Sequence, residues 1–395
     1  MNGKFNIITE EGFDSETFNE TESSKGFKLT NNETGCEIKI YKGEFNLNVA
    51  DDAFRSNRDL TILSGNFIIK TKDDAICAKY NLVLGRKEAS NDELKINIFN
   101  SYEAIEGMTV TIYSAKIYAH SKDDGINASG IIKKQRRGFT PRNNSDWNRN
   151  DTDRNDTNRN ESNRNRSRDF PWDGEMPRRN HTPAPPNDSY IISIYGGEIY
   201  LFTDSDGIDA NGHLYIHGGN INIFSEGRGA NEPIDHNGNF TLFNAEILGV
   251  GTGGLEFVHE GIKKGNQMYG FYSGKISKDK KLEIQDENNQ IVKEGNITKD
   301  INYIFYTSLK LNDKYHFYII DEIQNKTELN VIFGKPPEGE DDEDKNNNSN
   351  NNSNNDSNNN SNNNSNNNSN NNSNNNSNYL NTIILGLFFI LIFLF

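Results

Sequence analysis

The sequence predicts an all-β protein: a right-handed parallel β-helix, a solenoid of about 22 residues and three strands per coil, closed by a C-terminal antiparallel β cap. Three observations predict it. Acidic turns recur at a near-constant interval, short alternating apolar segments hinged at a small residue lie between them, and longer alternating runs replace both after Gly254.

The turns set the period. They read Asp51-Asp52-Ala53-Phe54, Asp73-Asp74-Ala75-Ile76, Tyr102-Glu103-Ala104-Ile105, Asp123-Asp124-Gly125-Ile126, Ser205-Asp206-Gly207-Ile208 and Asn231-Glu232-Pro233-Ile234, with Ser24-Lys25-Gly26-Phe27 as a degenerate first copy. Successive second positions lie 22, 29, 21, 82 and 26 residues apart. Removing the polar stretch 86–93 from the 29-residue step and the segment 131–189 from the 82-residue step restores a spacing near 22.

Between the turns, Ile38-Lys39-Ile40-Tyr41, Val110-Thr111-Ile112-Tyr113, Ile192-Ser193-Ile194-Tyr195 and Leu214-Tyr215-Ile216-His217 each precede a hinge at Gly43, Ala115, Gly197 or Gly219. Phe45-Asn46-Leu47, Ile117-Tyr118-Ala119, Ile199-Tyr200-Leu201 and Ile221-Asn222-Ile223 follow it. A period of two marks strands. The apolar residue after each acidic pair starts a third strand, and only stacking of the repeats buries the apolar positions of each. Parallel strands joined by crossovers take the right-handed path.

These marks divide the chain into an N-terminal flank (1–23), the β-helix (24–256) with an Asn/Arg-rich insertion (131–189), and the cap or small sandwich (257–335). An acidic, Asn/Ser-rich stalk (336–378) and a hydrophobic tail (379–395) complete it. Stalk and insertion have nothing to bury and read as solvated. The apolar run 383–395 is short for a membrane span. With the small and polar residues before it, it fits a glycolipid-anchor signal, a retained membrane tail being the alternative. Either places the chain at the cell surface, as do the Asn-x-Ser/Thr triplets at Asn19, Asn32, Asn127, Asn239, Asn296 and Asn325. No apolar leader follows Met1, and a missing N-terminus would account for that.

Two cysteines, Cys36 and Cys77, make no disulfide framework and read as ordinary thiols. With 57 acidic against 42 basic residues and a net charge of −15, nucleic acid is excluded as a partner. An anionic protein that holds an anionic ligand needs a cation.

Stacked repeats bring the acidic positions about 4.8 Å apart. Two like charges at that distance repel by roughly 3 kcal/mol at an effective dielectric of about 20. Calcium relieves this, because it accepts six to eight oxygens in flexible geometry. Three clusters are expected to hold it: Asp51, Asp52, Asp73 and Asp74; Glu103, Glu106, Asp123 and Asp124; and Asp204, Asp206, Asp209, Glu232 and Asp235. Asp-Gly pairs also make turns with no ion, and six registered copies weigh for the ion.

Asp51-Asp52-Ala53-Phe54, Asp123-Asp124-Gly125-Ile126-Asn127-Ala128, Asp206-Gly207-Ile208-Asp209-Ala210 and Phe305-Tyr306-Thr307-Ser308-Leu309-Lys310-Leu311 resemble the carbohydrate-binding β-helix proteins that bind calcium, cellulose and polygalacturonate, relatives of calcium-dependent pectate lyases. The resemblance spans 24–332 without the insertion, and it departs at Tyr102, Ser205 and Asn231, where the first acidic position is lost. It implies a calcium-dependent binder of acidic or cellulosic polysaccharide.

Aromatic side chains offer a second device, since flat rings fit the apolar faces of sugars. By strand parity Tyr41, Tyr113, Tyr195 and His217, with Phe243, form an outward column, with Tyr118, Tyr200, Phe202 and Phe224 beyond the hinge. Lys72 and Lys122 precede acidic pairs, where neighbouring carboxylates raise a lysine pKa and disfavour its use as the base of a lyase. Binding is therefore favoured over catalysis, with pectate lyase and a surface adhesin or spacer as alternatives.

Overall fold

The structure is a computed structural model that describes residues 3–9, 12–14, 24–88, 90–129, 188–226, 231–253 and 261–339. The chain divides into two compact units, Met1–Lys345 and Asn346–Phe395. The second lies outside the described residues, together with most of the flank and the insertion, nearly all of the stalk, and the whole hydrophobic tail.

The described residues are all-β, with almost no helix, and the strands come in threes. The first set is β1 (Lys4–Ile8), β2 (Phe27–Leu29) and β3 (Glu37–Ile40); the next is β4 (Glu44–Val49), β5 (Phe54–Ser56) and β6 (Asp59–Ile62). Then come β7 (Gly65–Thr71) with the long β8 (Ile76–Leu84), and β9 (Leu94–Asn100) with the long β10 (Ile105–Ile112). The threefold pattern resumes with β11 (Lys116–Ser121), β12 (Ile126–Ala128) and β13 (Ile191–Ile194), then β14 (Glu198–Thr203), β15 (Ile208–Ala210) and β16 (His213–Ile216). It closes with β17 (Gly219–Ser225), β18 (Ile234–His236) and β19 (Phe240–Leu242), followed by β20 (Ala245–Gly251) and β21 (Ile262–Gly265).

Among the repeats, first strands pair only with first strands. They form sheet I in the order β1-β4-β7-β9-β11-β14-β17-β20, parallel throughout. Second and third strands form two further parallel ladders, joined into sheet II because β8 and β10 each run through both. The sequence reading expected two separate strands at those places. In β8 Lys79-Tyr80 stands where other repeats have their corner, and β10 keeps only Gly107, where the pairing shifts register without ending the strand.

Register makes the core. Phe5, Phe45, Phe67, Ile96, Ile117, Ile199, Ile221 and Ile247 pair in succession across sheet I, and from Phe45 onward all are buried. The Phe5, Phe45 and Phe67 rings stack at 4.8 and 4.6 Å. Removing such a side chain from water is worth about 1.5–3 kcal/mol. Each repeat thus covers the apolar face of the next.

Surplus residues leave at corners. Positions 85–93 lie between β8 and β9, where other repeats turn within two or three residues, and core pairing resumes at Phe67–Ile96. A one-residue bulge then separates Ile69–Ile98 from Lys70–Asn100 and leaves Phe99 49% exposed.

Parallel pairing outlasts residue 256, since β21 joins β19. Antiparallel strands follow. β22 (Tyr269–Ile276), β23 (Lys280–Gln285), β24 (Ile291–Ile297), β25 (Ile301–Thr307), β26 (His316–Ile320), β27 (Lys326–Glu328) and β28 (Ile332–Gly334) complete the described chain. β25, β22 and β28 extend sheet I beyond β20, while β24-β23-β26-β27 form a separate sheet III. Leu248 and Val250 of β20 share a second apolar cluster with Leu282, Ile284, Ile304 and Phe317, so sheet III lies on the outer face of sheet I at its C-terminal end.

Candidate functional site

Between each first and second strand the chain turns through the acidic pair, and the pair's second member points into a tightly packed corner. Asp52, Asp74, Glu103, Asp124, Asp206 and Glu232 are all buried. Four of these carboxylates accept a backbone N–H of the next repeat: Asp74 donates to Asp52 at 3.2 Å, Glu103 to Asp74 at 3.3 Å, Asp206 to Asp124 at 3.1 Å, and Glu232 to Asp206. Carbonyls of the same turns accept a parallel set, such as Ala75 N–H to Glu103 at 3.0 Å and Gly125 N–H to Asp206 at 3.0 Å. Hydrogen bonding to the charged form offsets part of the cost of burying it.

A second polar column runs beside the first. Lys28, Arg55, Cys77, Glu106, Asn127, Asp209 and Asp235 occupy equivalent positions on consecutive strands. Their place, three residues beyond each acid, is readable in the sequence, whereas Cys77, which the sequence presents as an ordinary thiol, is a member of this column. Its sulfur accepts from Arg55 Nη1 at 2.9 Å and its S–H donates to Glu106 Oε2 at 2.9 Å. Ser129 donates to the other Glu106 oxygen at 2.8 Å, and the Asn127 amide donates to Glu103 at 3.3 Å. Asn127 is 2% exposed and engaged in this network, so it is not available as a glycan acceptor.

Charge compensation differs along the two columns. At the N-terminal end Lys25 Nζ reaches Asp51 at 2.5 Å and Asp52 at 2.8 Å, and Arg55 lies 3.6 Å from Asp74 and 3.9 Å from Asp52. Burial works against the Arg55 charge, yet Cys77, Asp52, Asp74 and Glu106 outweigh it and hold the guanidinium protonated. Burial, then Asp73 and Asp52, push the Asp74 carboxyl well up, and burial with Glu106 does the same for the Cys77 thiol. Toward the C-terminal end no salt bridge among the described residues reaches Asp206 or Asp235. Burial raises Asp235. It raises Asp206 to about 9, with Asp124, Asp209 and Asp235 adding to the effect against the Glu232 N–H bond.

Three sets of ligand atoms converge within 4.8 Å among the described residues: Asp51, Asp52 and Asp73; Asp74, Cys77 and Glu106; and Asp124, Asp206 and Asp209. The first keeps three members of one expected cluster. The third draws Asp124 from one expected cluster to Asp206 and Asp209 of another. Asp123, Asp204, Glu103, Glu232 and Asp235 stand outside these sets, and Asp204 is exposed. In the second set the Arg55 guanidinium already supplies a cation. The first is all-carboxylate but holds Lys25 at 2.5 and 2.8 Å, whereas the third, all-carboxylate in keeping with a hard divalent ion, has no salt bridge at Asp206 among the described residues.

The six aromatic candidates fall into two kinds. Tyr113, Tyr195 and His217 stack on one another at 5.1 and 4.6 Å with interplanar angles of 22° and 5°, so their faces are turned to their neighbours and their edges outward. Phe243 ends that column at 6.4 Å but is buried, which corrects its placement on the surface. Tyr41, Tyr118 and Tyr200 are 56%, 37% and 38% exposed. Tyr118 is tilted by 50° to Phe202 instead of stacked on it, and Tyr200 has no ring neighbour among the described residues.

A protein-family model described as carbohydrate-binding domain-containing protein matches residues 14–138. Those residues hold the first acidic turns and the strands from β2 to β12. No curated protein and no solved structure matches. The family match supports carbohydrate binding by this chain and a polysaccharide as its partner.

Proposed function

We propose that the protein is an extracellular, calcium-dependent polysaccharide-binding protein, and that its three parallel ladders are the faces of a right-handed parallel β-helix. The observation that carries the calcium reading is the convergence of Asp124, Asp206 and Asp209, carboxylates from two successive repeats whose oxygens register draws within 4.8 Å of one another. Calcium there balances their charge, takes its remaining oxygens from water and from ligand, and so joins an anionic protein to an anionic chain. Polygalacturonate is the ligand of that chemistry. Placement at the cell surface through the apolar tail, by a glycolipid anchor or a membrane segment, belongs to the same proposal and rests on the sequence of 383–395.

Isothermal titration of the full chain with calcium, then with polygalacturonate in calcium or in EDTA, tests the reading. Calcium binding that Asp209→Asn weakens at least tenfold, together with polygalacturonate binding seen only in calcium, is the expected result. No heat of calcium binding and equal glycan binding in EDTA would refute the calcium part.

A further inference from the structure

The outer face of sheet I carries a feature that the acidic corners do not use. Register aligns Ile68, Asn97, Tyr118, Tyr200 and Asn222 in one outward column and His120, Phe202 and Phe224 in the next. Ile68, Tyr118 and Tyr200 are each more than a third exposed, and the bulge in β9 adds Phe99. The track crosses five strands at roughly 4.8 Å each. It suits an extended ligand lying across the strands better than a single small molecule.

Sheet III ends the track with a wall. Ile291, Val292, Lys293 and Glu294 of β24 face Tyr200, Asn222 and Phe224 across an open cleft of about 390 Å³. Ile291 and Val292 are exposed along its rim, 51% and 36%. An exposed apolar track of this kind marks an interaction surface.

Charge decides what fits. Lys293 donates to Glu246 at 2.7 Å and to Asn220 at 3.2 Å, Glu294 is paired with Lys281 at 2.7 Å, and Lys116 lies between Glu93 and Glu198 at 3.0 and 3.6 Å. These charges are thus matched to one another, and Lys70, exposed beside Ile68 on β7, adds one cation with no salt bridge among the described residues. A single lysine gives a polyanion little hold, whereas a neutral chain with apolar ring faces and hydroxyl edges meets aromatic floor, aliphatic wall and amide groups.

We infer that this face is a second glycan-binding surface, distinct from the acidic corners, which holds a neutral polysaccharide chain without metal and seats one stretch of it in the cleft between Tyr200 and β24. The inference rests on the carbohydrate-binding reading above and adds a ligand class and a site to it. Tyr200 is the stacking platform, and Val292 is the wall residue that sets what enters.

The experiment measures binding of the full chain to a cello-oligosaccharide and to polygalacturonate, each in calcium and in EDTA. Wild type is compared with Tyr200→Ala, Val292→Asp and, as a control at an exposed apolar residue away from the cleft, Ile323→Ala. Expected are EDTA-insensitive binding of the neutral glycan, at least tenfold weaker in Tyr200→Ala and Val292→Asp and unchanged in Ile323→Ala, with thermal midpoints held and polygalacturonate binding intact. Neutral-glycan binding that both substitutions leave alone, or that EDTA abolishes, overturns the inference. Polygalacturonate bound with no neutral glycan bound overturns this inference alone, and failure to bind either glycan overturns the carbohydrate-binding reading with it.

Discussion

Asp206 shows how one side chain ties stability to pH and metal. Its carboxyl, ordinarily titrating near 3.9, is pushed to about 9 by burial first and then by Asp124, Asp209 and Asp235, against the opposing N–H of Glu232. A folded-state value above the unfolded one means the metal-free protein has this stabilisation in full below about pH 4. It loses it as pH rises, completely above about 9. Without calcium the melting temperature is therefore expected to fall between pH 5 and 9. Asp206→Asn, which keeps an oxygen for the Glu232 N–H, should flatten that fall; calcium should restore the wild type at pH 8 and do little at pH 4. Calorimetry across this range reads all three outcomes. Arg55 marks the opposite arrangement, a charge built in: Arg55→Met leaves Asp74 and Glu106 beside Cys77 without their cation, while Asp52 keeps Lys25, and breaking a buried pair in this way costs about 3–5 kcal/mol, measurable by urea denaturation.

Strands and corners obey local rules, which is why much of them is legible in the sequence. Alternation gives the strands, Asp and Gly give the turns, and the interval gives the register, so the pairing of Phe45 with Phe67 and of Ile199 with Ile221 follows from counting. What depends on contacts between repeats is not legible. The hinge alternates between Gly and Ala in the sequence, which reports size but not backbone angle: Gly197 has φ +109°, and a Cβ there would lie 2.3 Å from the Ala115 carbonyl oxygen. Gly197→Ala is expected to cost about 1–3 kcal/mol for that backbone position, read as a lowered denaturation midpoint. The N–H groups that cap Asp52, Asp74 and Asp124 come from 22, 29 and 82 residues away, and no local pattern announces them. Ring orientation is likewise hidden, because parity places Tyr113 and Tyr200 alike on the surface while packing turns one to its neighbour and leaves the other open.

At the scale of the whole β unit, stability is shared among neighbours. A residue in a middle repeat is covered from both sides, and one in the first repeat from one side only. Ile117→Ala is expected to cost about 2–5 kcal/mol, and Ile7→Ala, half-buried in the edge strand β1, distinctly less. Chemical denaturation of the two variants side by side checks this gradient. Charge follows a gradient too, with Lys25, Lys28 and Arg55 gathered where the repeats begin and Asp206, Glu232 and Asp235 where they end.

The corner at 85–93 shows what such a stack permits. Ile69 and Ile98 are 29 residues apart, against 22 between Leu47 and Ile69, and both pairs stand in register. Extra length there is carried outward, past the rim of the core, without disturbing the rows on either side. A foreign peptide or a fluorophore-bearing tag sewn in beside Arg86 would ride on the outside of an intact scaffold, a mounting point on a molecular ruler whose graduations are its own strands.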